Sequence, residues 1–234
     1  MREYTNDDYG WFYIDSLEGL THFEKIKLAI LLENGSKVFE IDKHIDLLKT
    51  EFNDDKIEIL KRKFDKVNFE KQLKRTFDKN INFITINSKE YPSSLLNSPM
   101  PPIILYYVGD INLLNTRCIS IVGSRLHTKY GETVTENFTK ELVDNGFTIV
   151  SGLADGIDSI AHRTCLSSGG KTIAVLCGGL NKIYPSINTS LARDIVKSGG
   201  LLISEQALGV QCRDFMFPIR NRIIAYLSLG VLLT

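Results

Sequence analysis

Two strand–turn–helix units in the middle of this chain constrain its fold more than any other feature. Apolar runs at residues 119–122 and 147–150 each end in a small-residue turn, and a helical segment follows each turn. A right-handed crossover makes such strands parallel and brings both turns side by side at the carboxyl edge of one sheet. The sequence therefore predicts a βαβα unit in an α/β fold. The two turns are Gly123-Ser124-Arg125 and Ser151-Gly152.

Both predicted turns are suited to bind an anion. Glycine lets a ligand approach backbone N–H groups, and the helix after each turn directs its unpaired N–H groups and its positive dipole end at the same place. Arg125 adds a guanidinium, which suits a phosphodiester. The alternative is structural, because Gly123 also permits close packing of a strand against a helix.

The fingerprints of nucleotide cofactors are absent from the sequence. The first turn does not match G-x-G-x-x-G, and no G-x-x-x-x-G-K-[ST] occurs. NAD and Mg-ATP are therefore disfavoured, and we expect no cofactor. The formal charge of zero does not itself favour a nucleic-acid partner, although the acidic excess lies in residues 1–55.

A second cluster, FPIRNR at residues 217–222, is placed at the start of the last predicted helix. Its two arginines and its asparagine offer phosphate donors, and its aromatic residue offers a surface for base stacking. Basic residues oppose the dipole at a helix N-terminus, so this placement favours a functional role. Lys171 and Lys182, near a third buried strand at residues 171–176, could enlarge the same basic edge.

A catalytic site has little support in the sequence. Ser151, Asp158 and His162 are the one plausible set for a Ser–His–Asp triad. We disfavour this alternative because Asp158 and His162 face each other along one helix, while Ser151 lies in the turn before it. Asp158 is interpreted instead as an acid that stabilises the start of the helix. We expect no enzymatic activity and no metal site.

The chain divides into a helical front, a linker and a sheet domain. Residues 1–80 have helical periodicity and little glycine, which predicts a small helical domain. Residues 81–110 are the predicted linker, because three prolines fall within residues 99–102 and an apolar run at 103–108 predicts an edge strand. Residues 111–234 are the predicted Rossmann-like domain.

The four cysteines show neither a C-x-x-C pair nor a histidine at metal-ligand spacing. We interpret them as small buried hydrophobic residues rather than as a metal or redox site. The sequence shows neither a signal peptide nor a run long enough to span a bilayer, which predicts a cytoplasmic protein without a membrane partner. The cysteines are Cys118, Cys165, Cys177 and Cys212.

Six sequence blocks within about residues 85–230 resemble one known family. In order they are IVGSR, SGLADGIDSIAH, GGKTIAVL, YPSIN, LLISE and FPIRNRIIAYLS. With these blocks the chain resembles the DNA-processing protein A (DprA/Smf) family. The resemblance implies a Rossmann-like open parallel sheet preceded by a small, sterile-alpha-motif-like helical domain. It also implies a homodimer that binds and protects single-stranded DNA and helps to load the RecA recombinase during natural transformation and recombination.

The resemblance also implies which residues bind DNA. Lys171 is included in the predicted site for a different reason, because its positive charge could enlarge the basic edge of the sheet. Asp155 lies where many members of the family have a basic or neutral residue, which would weaken the local positive potential. By the resemblance, Gly123, Ser124 and Arg125 hold backbone phosphate, and the adjoining turn is shaped by Ser151, Gly152 and Gly156. The resemblance also implies a third glycine turn, formed by Gly178 and Gly179. The same DNA-binding surface would include Phe217, Arg220, Asn221 and Arg222.

Two functions other than single-stranded DNA binding remain as alternatives. One is a nucleotide-processing enzyme of the phosphoribohydrolase type, whose related sheet also holds phosphate at glycine turns. Its P-G-G-x-G-T-x-x-E signature is absent, and Glu205 is the one acid close to a strand end. The other is a structural adaptor that binds no nucleic acid.

The end of the sequence gives a further expectation. The last predicted strand, at residues 230–233, is followed by Thr234 alone, whereas members of the family continue with more strands and helices. A buried parallel strand needs cover on both faces. We therefore expect a truncated copy in which homodimerisation and RecA loading are lost or weak.

Overall fold

The computed structural model, which describes residues 2–62 and 64–234, divides into two compact units. The first comprises Met1–Tyr91 and Pro99–Ile104, and the second comprises Pro92–Ser98 and Leu105–Thr234. Within the described part of the chain, no helix combines the length and the apolar composition needed to cross a bilayer.

The first unit is built mainly from helices whose starts are capped. The Thr5 hydroxyl accepts from the Asp8 N–H while the Asp8 carboxylate accepts from the Thr5 N–H, and Thr21 and Glu24 form the same reciprocal capping box. Trp11 is fully buried, so the core of this unit lies beneath its first helix. The helices are α1 (Asn6–Ser16), α2 (His22–Leu32), a 3-10 helix (Gly35–His44), α3 (Ile45–Leu48), α4 (Asp54–Lys61) and α5 (Lys66–Phe77).

The boundary of the first unit differs from the expected one at residue 80. The first residues of the predicted linker form strand β1 (Asn82–Thr85), which belongs to the first unit. Its Phe83 ring stacks on Tyr4 at a centroid distance of 4.4 Å and lies 5.1 Å from Phe12. These aromatic contacts make β1 part of the helical unit, although its residues fall within the predicted linker.

The second unit alternates strands and helices along the chain, as the sequence predicts. The last predicted helix begins at Met216, one residue before the FPIRNR cluster. The strands are β2 (Ile104–Gly109), β3 (Cys118–Val122), β4 (Thr148–Ser151), β5 (Thr172–Val175), β6 (Leu201–Ser204) and β7 (Val231–Leu233). The helices are α6 (Ser93–Leu96), a 3-10 helix (Ile111–Asn115), α7 (Lys129–Asp144), α8 (Ile157–Ser167), a 3-10 helix (Ser186–Asn188), α9 (Thr189–Lys197) and α10 (Met216–Tyr226).

The strands of the second unit form a mostly parallel sheet in the order β2-β6-β5-β4-β3-β7. Strand β2 is antiparallel to β6, with Tyr106 opposite Ser204. Each of the other neighbouring pairs, β6–β5, β5–β4, β4–β3 and β3–β7, is parallel. Ser120 of β3 lies opposite both Val150 of β4 and Val231 of β7. This arrangement confirms the predicted α/β fold with a Rossmann-like open parallel sheet.

The sheet reverses its direction of growth at β3. From β3 the chain adds β4, β5 and β6 on one side and then returns to place β7 on the other side of β3. Right-handed crossovers therefore put α7, α8 and α9 on one face, where α8 contacts both of its neighbours, and α10 on the opposite face. Such a reversal opens a crevice beyond the carboxyl ends of the strands, and ligands of open α/β sheets bind there.

The core between the sheet and α8 fixes where that helix begins. Ile121 of β3 and Ile149 of β4 pack with Ile157, Ala161 and Cys165 of α8, and all five are buried. The apolar side chains of α8 recur at helical spacing, so burying them holds the first turn of α8 at the carboxyl edge of the sheet.

The prediction that all four cysteines are simply small buried residues is wrong for two of them. Cys177 and Cys212 form a disulfide, with their Cα atoms 5.4 Å apart. Gly178 packs so closely that a Cβ there would lie 2.9 Å from the Cys212 nitrogen. This packing joins cysteines 35 residues apart, a separation that matches no spacing motif. Cys118 and Cys165 are buried free thiols, as predicted.

Candidate anion-binding site

A cavity of about 310 Å³ lies beyond the carboxyl ends of β3 and β4, where the sheet reverses. The turns after these strands line it together with the first turns of α8 and α10. The structure thus brings the first glycine turn and the FPIRNR cluster to one place. The residues of the predicted site that line the cavity are Gly123, Arg125, Phe217, Arg220 and Asn221, and Ala154 and Asp158 line it as well.

The two glycine turns lie against each other, as expected. Gly156 has a φ of +77° and packs onto the first turn, where a Cβ would overlap the Ser124 carbonyl oxygen. The Ile157 N–H donates to that same oxygen at 3.2 Å. Glycine at position 156 is required by both its conformation and this contact. The exposed Ser124 side chain donates to the Leu126 carbonyl oxygen at 2.9 Å.

Gly123 has the packing role that the structural alternative proposed. A Cβ at this position would overlap the Thr234 carbonyl oxygen and lie 2.7 Å from Cγ1 of Ile157. The close approach of strand and helix therefore requires glycine. Gly123 also lines the cavity.

Asp158 organises the second glycine turn. Its carboxylate accepts from the N–H groups of Gly152, at 3.0 Å, and Ala154, at 3.3 Å. Burial raises the pKa of the Asp158 carboxyl, and the positive charge of Arg220 and these N–H donors oppose that rise. Because these two N–H groups are already paired, the second turn has fewer free donors for an anion than the sequence pattern predicts.

Arg220 joins the ends of two strands from inside the protein. The residue is only 4% exposed, and its Nη1 donates to the carbonyl oxygens of Gly152, at 2.7 Å, and Val175. Its Nε donates to Oδ1 of Asn221 at 3.2 Å. A Cβ at Gly152 would lie 2.6 Å from the Arg220 Cζ, so a side chain there would displace the guanidinium from this position. Burial lowers the pKa of Arg220 to about 10, which still leaves the guanidinium charged at neutral pH.

Arg125 is the exposed cation at the mouth of this cavity. Its guanidinium lies over the Phe217 ring, 4.7 Å from the centroid, and the Arg220 Cζ lies 6.0 Å from the same centroid. A cation–π contact orients a guanidinium without neutralising its charge. Among the charged residues that line the cavity, Arg125 and Arg220 outnumber Asp158, so the lining carries a net positive charge.

Lys171 and Arg222 do not join the predicted site residues around the cavity. The structure contradicts the expected position of Lys171, which precedes β5 and so lies at the amino edge, where its Nζ donates to the Ser198 carbonyl oxygen at 2.5 Å. Arg222 forms an ion pair with Glu205, the residue after β6, and both side chains are largely buried. The charge of Arg222 is therefore balanced within the protein.

The third glycine turn is covered by another part of the chain. Gly178 and Gly179 follow β5 at the carboxyl edge, and both are buried. The Gly179 N–H donates to the Val210 carbonyl oxygen at 2.8 Å. This turn is thus packed beneath the loop that carries Cys212.

Ser151, Asp158 and His162 are not arranged as a triad. The Ser151 hydroxyl donates to the Ile121 carbonyl oxygen at 2.6 Å. The Nδ1 atom of His162, which would face the aspartate in a triad, lies 2.7 Å from the Thr172 hydroxyl. His162 is fully buried, and burial lowers its pKa to about 3, so the imidazole is neutral at physiological pH.

Two residues near the site had no role assigned from the sequence. Asn188 is buried, and its Nδ2 donates to the carbonyl oxygens of Leu153, at 3.0 Å, and Ala154, at 3.3 Å. The Tyr184 ring lies 6.1 Å from the Phe217 ring, measured between centroids. Both residues belong to the YPSIN block, which contributes to the family resemblance. No residue pattern in this block predicts either contact.

The chain is similar to DNA processing proteins in sequence. The family model described as DNA recombination-mediator protein A matches residues 82–234. The DNA processing protein DprA of Bacillus subtilis is 43% identical over 156 residues, which are 66% of this chain and 52% of that protein. The chain therefore spans about half the length of this curated relative.

Two solved structures resemble the chain in fold. The X-ray structure of DNA processing protein A from Streptococcus pneumoniae matches with a TM-score of 0.72 and 33% identity, over 99% of this chain and 78% of that one. A structure of DNA processing protein A from Helicobacter pylori, which addresses the single-stranded DNA binding mode of that protein, matches with a TM-score of 0.59 and 33% identity. That match covers 66% of this chain and 70% of the Helicobacter chain.

Proposed function

Since this chain belongs to the DNA recombination-mediator protein A family, we propose that it binds single-stranded DNA through backbone phosphates, without strong sequence preference. The observation that carries the proposal is the exposed guanidinium of Arg125, held over Phe217 at the mouth of the cavity. The binding is non-enzymatic and protects the strand. The similarity to the Helicobacter protein, whose structure addresses single-stranded DNA binding, supports the choice of ligand.

The charges around the cavity favour a phosphodiester. Two guanidinium groups, of Arg125 and Arg220, and one carboxylate, of Asp158, line the cavity. The negative charge of one bound phosphodiester would therefore neutralise the net positive charge of the lining. The two arginines contribute differently, because Arg125 presents its planar donors to solvent while Arg220 is held by backbone carbonyl oxygens. Arg125 is therefore the direct phosphate ligand, and Arg220 supplies charge from within a region of low dielectric constant.

The aromatic ring of Phe217 favours an unpaired strand. Proteins that bind single strands without sequence preference combine a positive surface with aromatic side chains on which bases stack. Phe217 is half-buried in the cavity lining and lies next to both arginines. A base in a duplex is already stacked on both faces, so this combination selects unpaired bases.

Assistance to RecA loading, homodimer formation and a cytoplasmic location are the parts of the proposal that rest on family membership. The chain spans 52% of the Bacillus relative, so each part needs a direct test on this chain. RecA loading is measured by RecA filament formation on DNA already coated with this chain. Homodimer formation is measured by sedimentation of the purified chain.

A fluorescence-anisotropy titration with labelled oligo-dT tests the ligand directly. We expect saturable binding that unlabelled single strands of any composition reverse, whereas a duplex of equal length competes poorly and a nucleoside monophosphate hardly competes. Absence of oligo-dT binding at low salt would reject the proposal and favour a structural adaptor. Strong competition by the monophosphate, with release of free base that Glu205→Gln abolishes, would establish the nucleotide-processing alternative.

A further inference from the structure

We propose that Tyr184 is a base-stacking residue of this site, working beside Phe217, so that the bound strand is contacted through at least one base as well as through its phosphates. This inference rests on the proposed function and extends its binding surface toward the loop after β5.

The position of Tyr184 next to the phosphate-binding arginine supports this role. Its ring centroid lies 6.1 Å from that of Phe217, and the two ring planes are tilted by 53°. The Arg125 guanidinium lies over the same Phe217 ring at 4.7 Å. A strand whose phosphate is bound by Arg125 therefore has two aromatic rings within reach of its neighbouring bases.

The exposure of Tyr184 argues that its ring is not a packing anchor. The side chain is 53% exposed, although it belongs to a loop that is held at several points. Asn188 attaches one end of the loop to the second glycine turn, and Oδ1 of Asn181 accepts from the Gly209 N–H at 2.8 Å near the other end. The loop is thus fixed without the tyrosine ring.

The ring chemistry limits the ligand to unpaired bases. Aromatic rings stack on any base because every base has a π face, and this contact does not depend on sequence. Phe217 and Tyr184 are tilted rather than face to face, so neither ring covers the flat face of the other. Tyr184 consequently adds preference for single strands over duplexes without adding sequence preference.

The test compares Tyr184→Ala and Tyr184→Phe on labelled oligo-dT and on an oligonucleotide of equal length with abasic units in place of thymidines. We expect Tyr184→Ala to weaken oligo-dT binding by about 5- to 150-fold, the range for loss of one stacked base. Tyr184→Phe should bind like the unchanged protein. The slope of log affinity against log salt should be unchanged in both variants, because no phosphate contact is lost.

Tyr226→Ala is the matched control. Tyr226 is partly exposed at the far end of α10, about 14 Å along the helix axis from Phe217 at 1.5 Å per residue, and its removal should leave oligo-dT binding unchanged. Equal oligo-dT affinity for Tyr184→Ala and the unchanged protein would overturn the inference. A smaller salt slope, or an equal loss of affinity for the abasic strand, would also overturn it. Failure of the unchanged protein to bind oligo-dT would instead reject the proposed function.

Discussion

Two arginine–phenylalanine pairs lie at opposite edges of the parallel sheet. Arg125 follows β3 and lies over Phe217, with 4.7 Å from Cζ to the ring centroid, whereas Arg117 precedes β3 and lies over Phe147 at 4.2 Å. Both arginines are exposed and both phenylalanines are partly buried. The pairs are therefore alike in composition and geometry, and of the two only the pair of Arg125 and Phe217 lines the cavity.

The surroundings of the two pairs explain why we assign phosphate binding to one and not the other. At the carboxyl edge, α8 begins against the turn that carries Arg125, so the positive end of a helix dipole adds to the guanidinium charge. At the amino edge, α7 ends at Asp144 just before Phe147, whose N–H donates to the Leu142 carbonyl oxygen. The negative end of that helix offsets the charge of Arg117. Residue type alone does not distinguish such pairs, whereas their position in the topology does.

Replacement of the buried Arg220 should have the largest effect at the carboxyl edge. Arg220→Ala leaves the Gly152 and Val175 carbonyl oxygens without these donors and Asp158 without its nearby cation, so the free energy of unfolding should fall by about 3–5 kcal/mol. Urea unfolding measures this loss. Arg117→Ala is the matched control and should leave the unfolding midpoint nearly unchanged. Equal effects of the two variants would show that Arg220 is not a structural element of its edge.

Loss of the disulfide should have the next largest effect, again at the carboxyl edge. The bond between Cys177 and Cys212 closes a loop across 35 residues, and its removal should cost about 2–4 kcal/mol because the unfolded chain gains conformational freedom. Thermal unfolding with and without a reductant should show a lower Tm for the reduced protein. Cys212→Ala should unfold at the same temperature in both conditions. A reductant-dependent Tm in Cys212→Ala would contradict this assignment.

The salt dependence of DNA binding compares the two exposed arginines directly. Arg125→Ala should weaken oligo-dT binding for all sequences alike and reduce the salt slope by about 0.7, because one fewer phosphate displaces counterions from the strand. Arg117→Ala should change neither quantity. Anisotropy titrations at several salt concentrations measure both. An unchanged slope in Arg125→Ala would remove this residue from the phosphate site, and equal changes in both variants would remove the distinction between the edges.

Replacement of one exposed acid should give the smallest effect. Asp155 is exposed in the second glycine turn, and its charge lowers the positive potential near Arg125. Asp155→Asn should strengthen oligo-dT binding at low salt by at most about fivefold, the range of surface charge pairs. The gain should disappear at high salt through screening. Asp144→Asn, at the amino edge, should bind like the unchanged protein, and a comparable gain there would indicate a nonspecific effect of net charge.

Local sequence patterns account for the alternation of strands and helices in the second unit and for the meeting of the two glycine turns. Both follow from local patterns, since apolar runs before glycine predict β3 and β4, and the handedness of crossovers then places their turns at one edge. The family resemblance, rather than these local patterns, assigned Arg125 and Phe217 to one predicted site, and both residues line the cavity. The six blocks were sufficient to recognise the family.

The availability of the predicted donors to a ligand depends on packing between distant segments of the chain. The N–H of Gly152 is occupied by the Asp158 carboxylate, and Arg220 is buried among backbone carbonyl oxygens. The disulfide between Cys177 and Cys212 likewise depends on two loops that pack together from distant parts of the chain. Residue type shows what a side chain can bind, but burial and pairing depend on which distant segments pack against it, and a local pattern carries no information about that packing.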